Sequence, residues 1–357
     1  MKKFILISLM LLVYVCAMAQ AIDTHIPKDY KDCIKQLVPV IEIDNELTQK
    51  RHAKTDSLLE IPGDALLKFV AMPAFDGRSC LYCPKGSNEL VARKEAAIPG
   101  HATLSFKMTV SDAVIDTLHH LLRTIAETQY PPNIGIDGIF YWYAADCGDE
   151  AYVERDTWCP MGKLGRASTL LEFMWNAVEF ADEWAVESLV EEMARVYYDR
   201  PSLAKDSMDW YKYFLTKRTA RNQDYYEYAD AVAKKIGEGQ KVTIEEVIAA
   251  MPQTRDEVLV IWGWRDFNRD NQGELIAEAA EEYAMENPHP ELLSKFFAAA
   301  YQACEASGFI EGTFWEYCFS LWQKYPKETA PYAKDFEESF RREMEIISRL
   351  PSNEFEE

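Results

Sequence analysis

An α+β fold is predicted: a small antiparallel sheet with two packed helices, followed by an irregular all-α helical domain. Three observations carry that expectation. Ile136 to Cys159 places an aromatic run (Ile139 to Tyr143) and an alternating run (Tyr152 to Arg155) on either side of Gly148-Asp149, which reads as a β-hairpin. Short runs divided by turn residues precede it, from Leu66 to Val110. From Glu183 onward helical periodicity takes over, and the strand-like run Val258 to Trp262 stands in helical context.

Taken in order, Met1 to Ala19 carries Lys2 and Lys3, an apolar run from Phe4 to Val15, and Ala17-Met18-Ala19 before Gln20. That is the layout of a cleaved signal peptide, so an exported chain cut after Ala19 is expected. Lipidation at Cys16 is the lesser reading, because Tyr14 and Val15 stand where small residues normally precede a lipidated cysteine. No later apolar stretch approaches the roughly 20 residues of a membrane span.

Removing 19 of the 357 residues leaves 338, enough for two domains, and the hydrophobic content of 48% supports ample cores. The net charge is −21, and loss of Lys2 and Lys3 takes it to −23. Nucleic acid and anionic membranes are therefore poor partners, and the acidity itself reads as a solvated surface.

A polar lead-in covers residues 20–60, helical from about Asp44 to Leu59. An α+β module then runs from Ile61 to Asp182. Leu66 to Phe75, Arg78 to Cys83, Glu89 to Arg93 and Ala102 to Val110 read as its first strands. Ser111 can cap a helix whose apolar residues Val114, Leu118, Leu121, Leu122 and Ile125 fall on one stripe. The hairpin follows, then a second helix through Leu170, Phe173, Met174 and Ala177.

With Gly148-Asp149 as the turn, Tyr143 falls opposite Glu154 and Trp142 opposite Arg155. Phe140, Trp142, Ala144 and Val153 then form the core face, with Arg155 over Trp142. Tyr141, Tyr143, Tyr152 and Trp158 form the other, a candidate binding surface. Residues 183–357 form the helical domain, with about seven or eight helices, no fixed repeat, and capping boxes at Thr243 with Glu246 and Thr254 with Glu257.

The Leu66 to Phe75 strand, Asp137-Gly138 with its following aromatics, Tyr152 with Arg155, Pro160 and the closing helix together resemble a module of uncharacterised bacterial exported and lipoprotein-like proteins. The resemblance covers about a third of the chain. It implies fold and export and transfers no catalytic residue.

Seven cysteines follow the leader: Cys33, Cys80, Cys83, Cys147, Cys159, Cys304 and Cys318. In an oxidising compartment an odd number leaves a free thiol or a link to another chain. Cys80 and Cys83 have the spacing of redox and zinc motifs, but Pro84 and Gly86 follow where a redox motif begins a helix. Zinc needs two more ligands, which Cys147, Cys159, His101, His119 or His120 could supply only through the fold. Structural thiols or a local bridge are the preferred reading, with Cys80 and Cys83 weak metal candidates.

Cys147 and Cys159 are expected to stay unbonded, since the hairpin separates them by roughly 30 Å at about 3.3 Å per residue. Cys304 and Cys318 lie on buried stripes either side of a turn at Gly308 to Gly312, and a disulfide is expected between them.

Other motifs fail in detail. His119 and His120 are adjacent on a helix and diverge by about 100°, so they do not chelate together. Asp266 to Gly273 opens like a calcium loop but lacks the closing glutamate in either frame, and a capped inter-helix loop explains it. Ser202-Leu203-Ala204-Lys205 matches a Ser-x-x-Lys pattern without its partner motifs, and Ser202 reads as a helix cap.

No nucleophile elbow, zinc helix or phosphate loop occurs. No catalytic residue and no cofactor is assigned. The expected function is a non-enzymatic binding or interaction protein of the bacterial envelope, whose partner is another protein or an envelope polymer. The alternative is a metal- or thiol-dependent protein using Cys80 and Cys83.

Overall fold

The computed structural model describes residues 45–73, 77–98, 100–128, 138–148, 151–198, 209–263, 271–307 and 313–349. Residues 1–44, with the expected leader and Cys33, Ser202 to Lys205, most of the calcium-like loop and the turn at 308–312 lie outside them. The chain divides into units Met1–Ser57 and Leu58–Glu357. A helix, α1 (Asn45–Leu59), begins in the first and its last two residues belong to the second.

The second unit opens on a six-stranded antiparallel sheet: β1 (Ala65–Pro73), β2 (Ser79–Pro84), β3 (Glu89–Lys94), β4 (Leu104–Thr109), β5 (Ile139–Gly148) and β6 (Ala151–Trp158), in the order β4-β3-β2-β1-β5-β6. Between β4 and β5 runs α2 (Asp112–Glu127), started where Ser111 accepts from the Val114 N–H at 3.4 Å. Its stripe, Val114, Leu118, Leu121, Leu122 and Ile125, is buried as the spacing predicts.

After β6 come α3 (Gly162–Glu179) and α4 (Glu183–Tyr197), α4 being capped by Asp182. Then follow α5 (Trp210–Arg221), α6 (Gln223–Gly237), α7 (Ile244–Ala250), α8 (Arg255–Gly263), α9 (Gln272–Glu286), α10 (Pro290–Ser307), α11 (Thr313–Lys324), α12 (Pro326–Thr329) and α13 (Glu337–Arg349). Among the described residues ten helices thus follow residue 182, more than the seven or eight expected, because short ones such as α7 and α12 leave little periodicity to read. Both capping boxes form: Thr243 with Glu246, and Thr254 with Glu257. Asn271 caps α9 at the end of the calcium-like stretch. Among the described residues no helix is long and apolar enough to cross a membrane.

Both faces of the sheet are covered. On one, Leu67, Phe69, Leu81, Leu90, Tyr141 and Tyr143 pack with α2, α3 and α4, and this core runs on to Phe214 of α5, past residue 182. On the other, Val70, Met72, Cys80, Tyr82, Trp142 and Ala144 pack with Leu59 and Ile61. A strand apolar on both faces is what an interior strand needs, and β5 lies between β1 and β6.

The hairpin corrects the expected register. Gly148 pairs with Ala151, Asp146 with Tyr152, Tyr143 with Arg155 and Trp142 with Asp156, the register shifting so that Cys147 is an extra residue. One residue of slip turns every β6 side chain to the opposite face. Arg155, expected over Trp142, instead donates from Nε to the Ala126 carbonyl at 2.9 Å. The place over Trp142 is taken by Lys68, only 5% exposed, with Nζ 3.8 Å from the ring centroid.

Tyr143 is buried, and its hydroxyl lies 2.6 Å from Ser168 Oγ, which itself donates to the Leu164 carbonyl at 2.7 Å. The single serine proton is thus in use, so Tyr143 is the donor. Tyr143→Phe is expected to lower the unfolding free energy by about 1 kcal/mol, read by urea titration. No change would mean that the hydroxyl finds equal solvation in the unfolded chain.

Candidate functional site

Cys80 and Cys83 sit three apart on β2, so their side chains leave opposite faces of the sheet. Cys80 packs in the Trp142 cluster and Cys83 in the Leu67 cluster. That geometry keeps the pair from sharing one metal ion or one bridge. Among the described residues no three His, Cys, Asp or Glu side chains converge as a metal site. His119, a ligand candidate by type, lies with Nε2 2.6 Å from the Asp146 carbonyl.

The Cys304–Cys318 disulfide is not formed, although both residues are buried in one cluster where α10 packs on α11, so the facing stripes were legible and the bond was not. Cys147 and Cys159 are also free thiols, Cys159 accepting from the Ile139 N–H at 3.2 Å.

Burial pushes the Cys83 thiol up to about 11, with Glu89 adding to it, and burial also raises the Cys318 thiol well above its ordinary range, helped by Cys304. Among the six described cysteines, a thiol reagent at neutral pH is therefore expected to modify Cys147 and Cys159 first, and Cys80, Cys83, Cys304 and Cys318 only on unfolding. Peptide mapping after timed labelling reads this, and early labelling of Cys83 would contradict it.

The proposed tyrosine surface is split by the corrected register. Tyr141 and Tyr143 are core residues stacked around Phe69, whose ring centroid is 5.6 Å from each. Tyr152 and Trp158 belong to the other face: Tyr152 is half-exposed, with its hydroxyl donating to the Ala65 carbonyl, and Trp158 packs edge-on to Phe140.

What the structure does assemble is a cavity of about 310 Å³ where the sheet meets α3, α5, α8 and α10. Its apolar wall is Phe69, Leu81, Leu171 and Leu259, and its polar wall includes Lys94, Arg218, Arg255, Glu172 and Asn176. Each cation is held by a structural contact. Lys94, at the end of β3, donates to the Ala306 and Ser307 carbonyls at the C-terminus of α10, at 3.2 and 2.9 Å, where the helix dipole favours positive charge.

Arg218 of α5 makes a two-pronged pair with Glu179 of α3, at 2.9 and 2.8 Å, and also meets Asp256. Arg255 Nη1 reaches the same Glu179 at 2.6 Å while its guanidinium lies 5.6 Å from the Trp175 ring centroid. Glu179 and Arg218 are only 4% and 5% exposed. Burial by itself would raise the Glu179 carboxyl, but the Arg218 hydrogen bond and both guanidinium charges outweigh it and hold it below its ordinary range.

One donor is left over. Arg255 Nε is buried and has no hydrogen-bond partner among the described residues. A buried donor without a partner costs about 1–3 kcal/mol. The arrangement is one of fixed donors beside an apolar floor, suited to holding a molecule.

No family model, no curated protein and no solved structure matches this chain.

Proposed function

We propose that this chain is an exported, non-enzymatic binding protein whose ligand site is the cavity between the sheet and the helical array. The observation carrying this reading is the junction cavity itself, with charged donors on one wall and an apolar floor opposite, the composition expected of small-molecule sites. Export rests on the leader sequence Met1 to Ala19. The partner is then a small molecule, and it comes from the envelope or its surroundings.

The test is ligand-observed NMR of a metabolite pool against the native chain and against Leu259→Trp, which enlarges the apolar wall into the cavity and keeps every charged residue of the ion pairs. At least one compound should bind the native chain and be lost from the plugged variant. If every signal is the same for both, the cavity is not the ligand site.

A further inference from the structure

We infer that the ligand of the junction cavity is a small amphipathic carboxylate, its carboxylate received by Arg255 and its apolar body laid on Phe69, Leu81, Leu171 and Leu259. The inference rests on the reading of the cavity as a ligand site and names the class of molecule. Three facts about the wall carry it.

The first is the fixed Arg255 guanidinium. It is held by Glu179 at Nη1 and by the face of Trp175, and the side chain lines the cavity while 16% exposed, so the group is fixed before any ligand arrives and has further N–H donors to offer it. The second is the direction of charge. Lys94, Arg218 and Arg255 line the cavity, with Glu172 the carboxylate beside them, whereas Glu179 and Asp256, which hold the guanidiniums, are not in the wall. The ion pairs thus present their positive ends inward, and a negative ligand group gains from them while the carboxylates behind repel it from farther away.

Glu172 is the opposing charge within the wall, and it accepts from the Tyr141 hydroxyl at 3.2 Å, which places it toward the sheet end. The third fact is the apolar part of the lining: Phe69, Leu81, Leu171 and Leu259 give a floor that a purely polar anion such as phosphate would leave unused. A volume of about 310 Å³ stands at the lower end of small-molecule sites, so the apolar body is short.

The test is calorimetric titration of the native chain with straight-chain carboxylates from butanoate to decanoate, beside the alcohol and amine of matched length. One carboxylate of middle length is expected to bind with one-to-one stoichiometry, at least tenfold tighter than its alcohol or amine. Arg255→Gln should bring acid and alcohol to similar affinity, and Leu259→Trp, which keeps all three cations, should abolish binding of both.

An alcohol that binds the native chain as well as the acid does, and is lost in Leu259→Trp, overturns the carboxylate assignment while leaving the cavity as a ligand site. Acid binding that survives Leu259→Trp overturns it as well, by placing the acid elsewhere. So does the absence of saturable binding by any acid in the series.

Discussion

Replacing Glu179 by glutamine is expected to lower the unfolding free energy by about 3–5 kcal/mol, the loss typical when one partner of a buried ion pair is removed. Glutamine keeps the shape of the side chain but leaves Arg218, nearly all of it out of water, with only the more exposed Asp256 as a counter-charge. Arg255 loses the oxygen charge that fixes its Nη1. Urea titration measures the loss. A companion variant, Glu179→Leu with Arg218→Leu and Arg255→Leu, should recover most of it, because no buried guanidinium is then left without its carboxylate.

The pH dependence has a definite sign. The folded Glu179 carboxyl is held below its ordinary 4.5, so its stabilising contribution is full above that pH and fades as the pH falls through the folded value. The gap between native and Glu179→Gln should therefore be widest near neutrality and close in acid. A gap that stays constant to strongly acid pH would show that Glu179 acts through shape and not through charge.

Trp142→Ala is the second large effect, expected at about 3–5 kcal/mol, as for other buried tryptophans. Trp142 is 1% exposed at the middle of β5, paired with Val70 on β1 and Asp156 on β6. Its removal opens a cavity in the second face of the sheet. It also takes away the ring beneath the Lys68 ammonium and the indole N–H that donates to Glu154 at 3.3 Å. Trp142→Phe retains a ring face and should recover about half of the loss, on the scale of a buried cation–π contact plus most of the apolar area. If Trp142→Ala costs under about 1 kcal/mol, the face carrying it is not a packed core.

The strands and α2 were legible because their signals are local: Ser111 starts a helix, Val114 to Ile125 repeat on one stripe, and short alternating runs end at turn residues. The hairpin register was not, because Cys147 enters as an extra residue and nothing at Cys147 itself distinguishes a bulge from a regular pair. The uninterrupted run Phe140 to Ala145 carried the information that β5 is covered on both faces, and that run outweighs the tyrosine alternation read as a surface.

The candidate site joins Lys94 to Arg218, Arg255 and Glu172, positions that no short motif connects. A trace of it does exist in the sequence. Glu179 continues the Leu171, Trp175 stripe of α3, and Arg218 continues the Trp210, Phe214 stripe of α5. A charged residue at an apolar stripe position either breaks the pattern or is paired in the core, and only the fold shows that these two are paired with each other.

The most direct measurement of the central claim is a crystal structure of the native chain soaked with the tightest carboxylate of the series. The account predicts density in the junction cavity with a carboxylate oxygen within hydrogen-bond distance of the Arg255 guanidinium and the alkyl chain against Leu171 and Leu259. A cavity without ligand density, with the carboxylate bound at another surface, would contradict it.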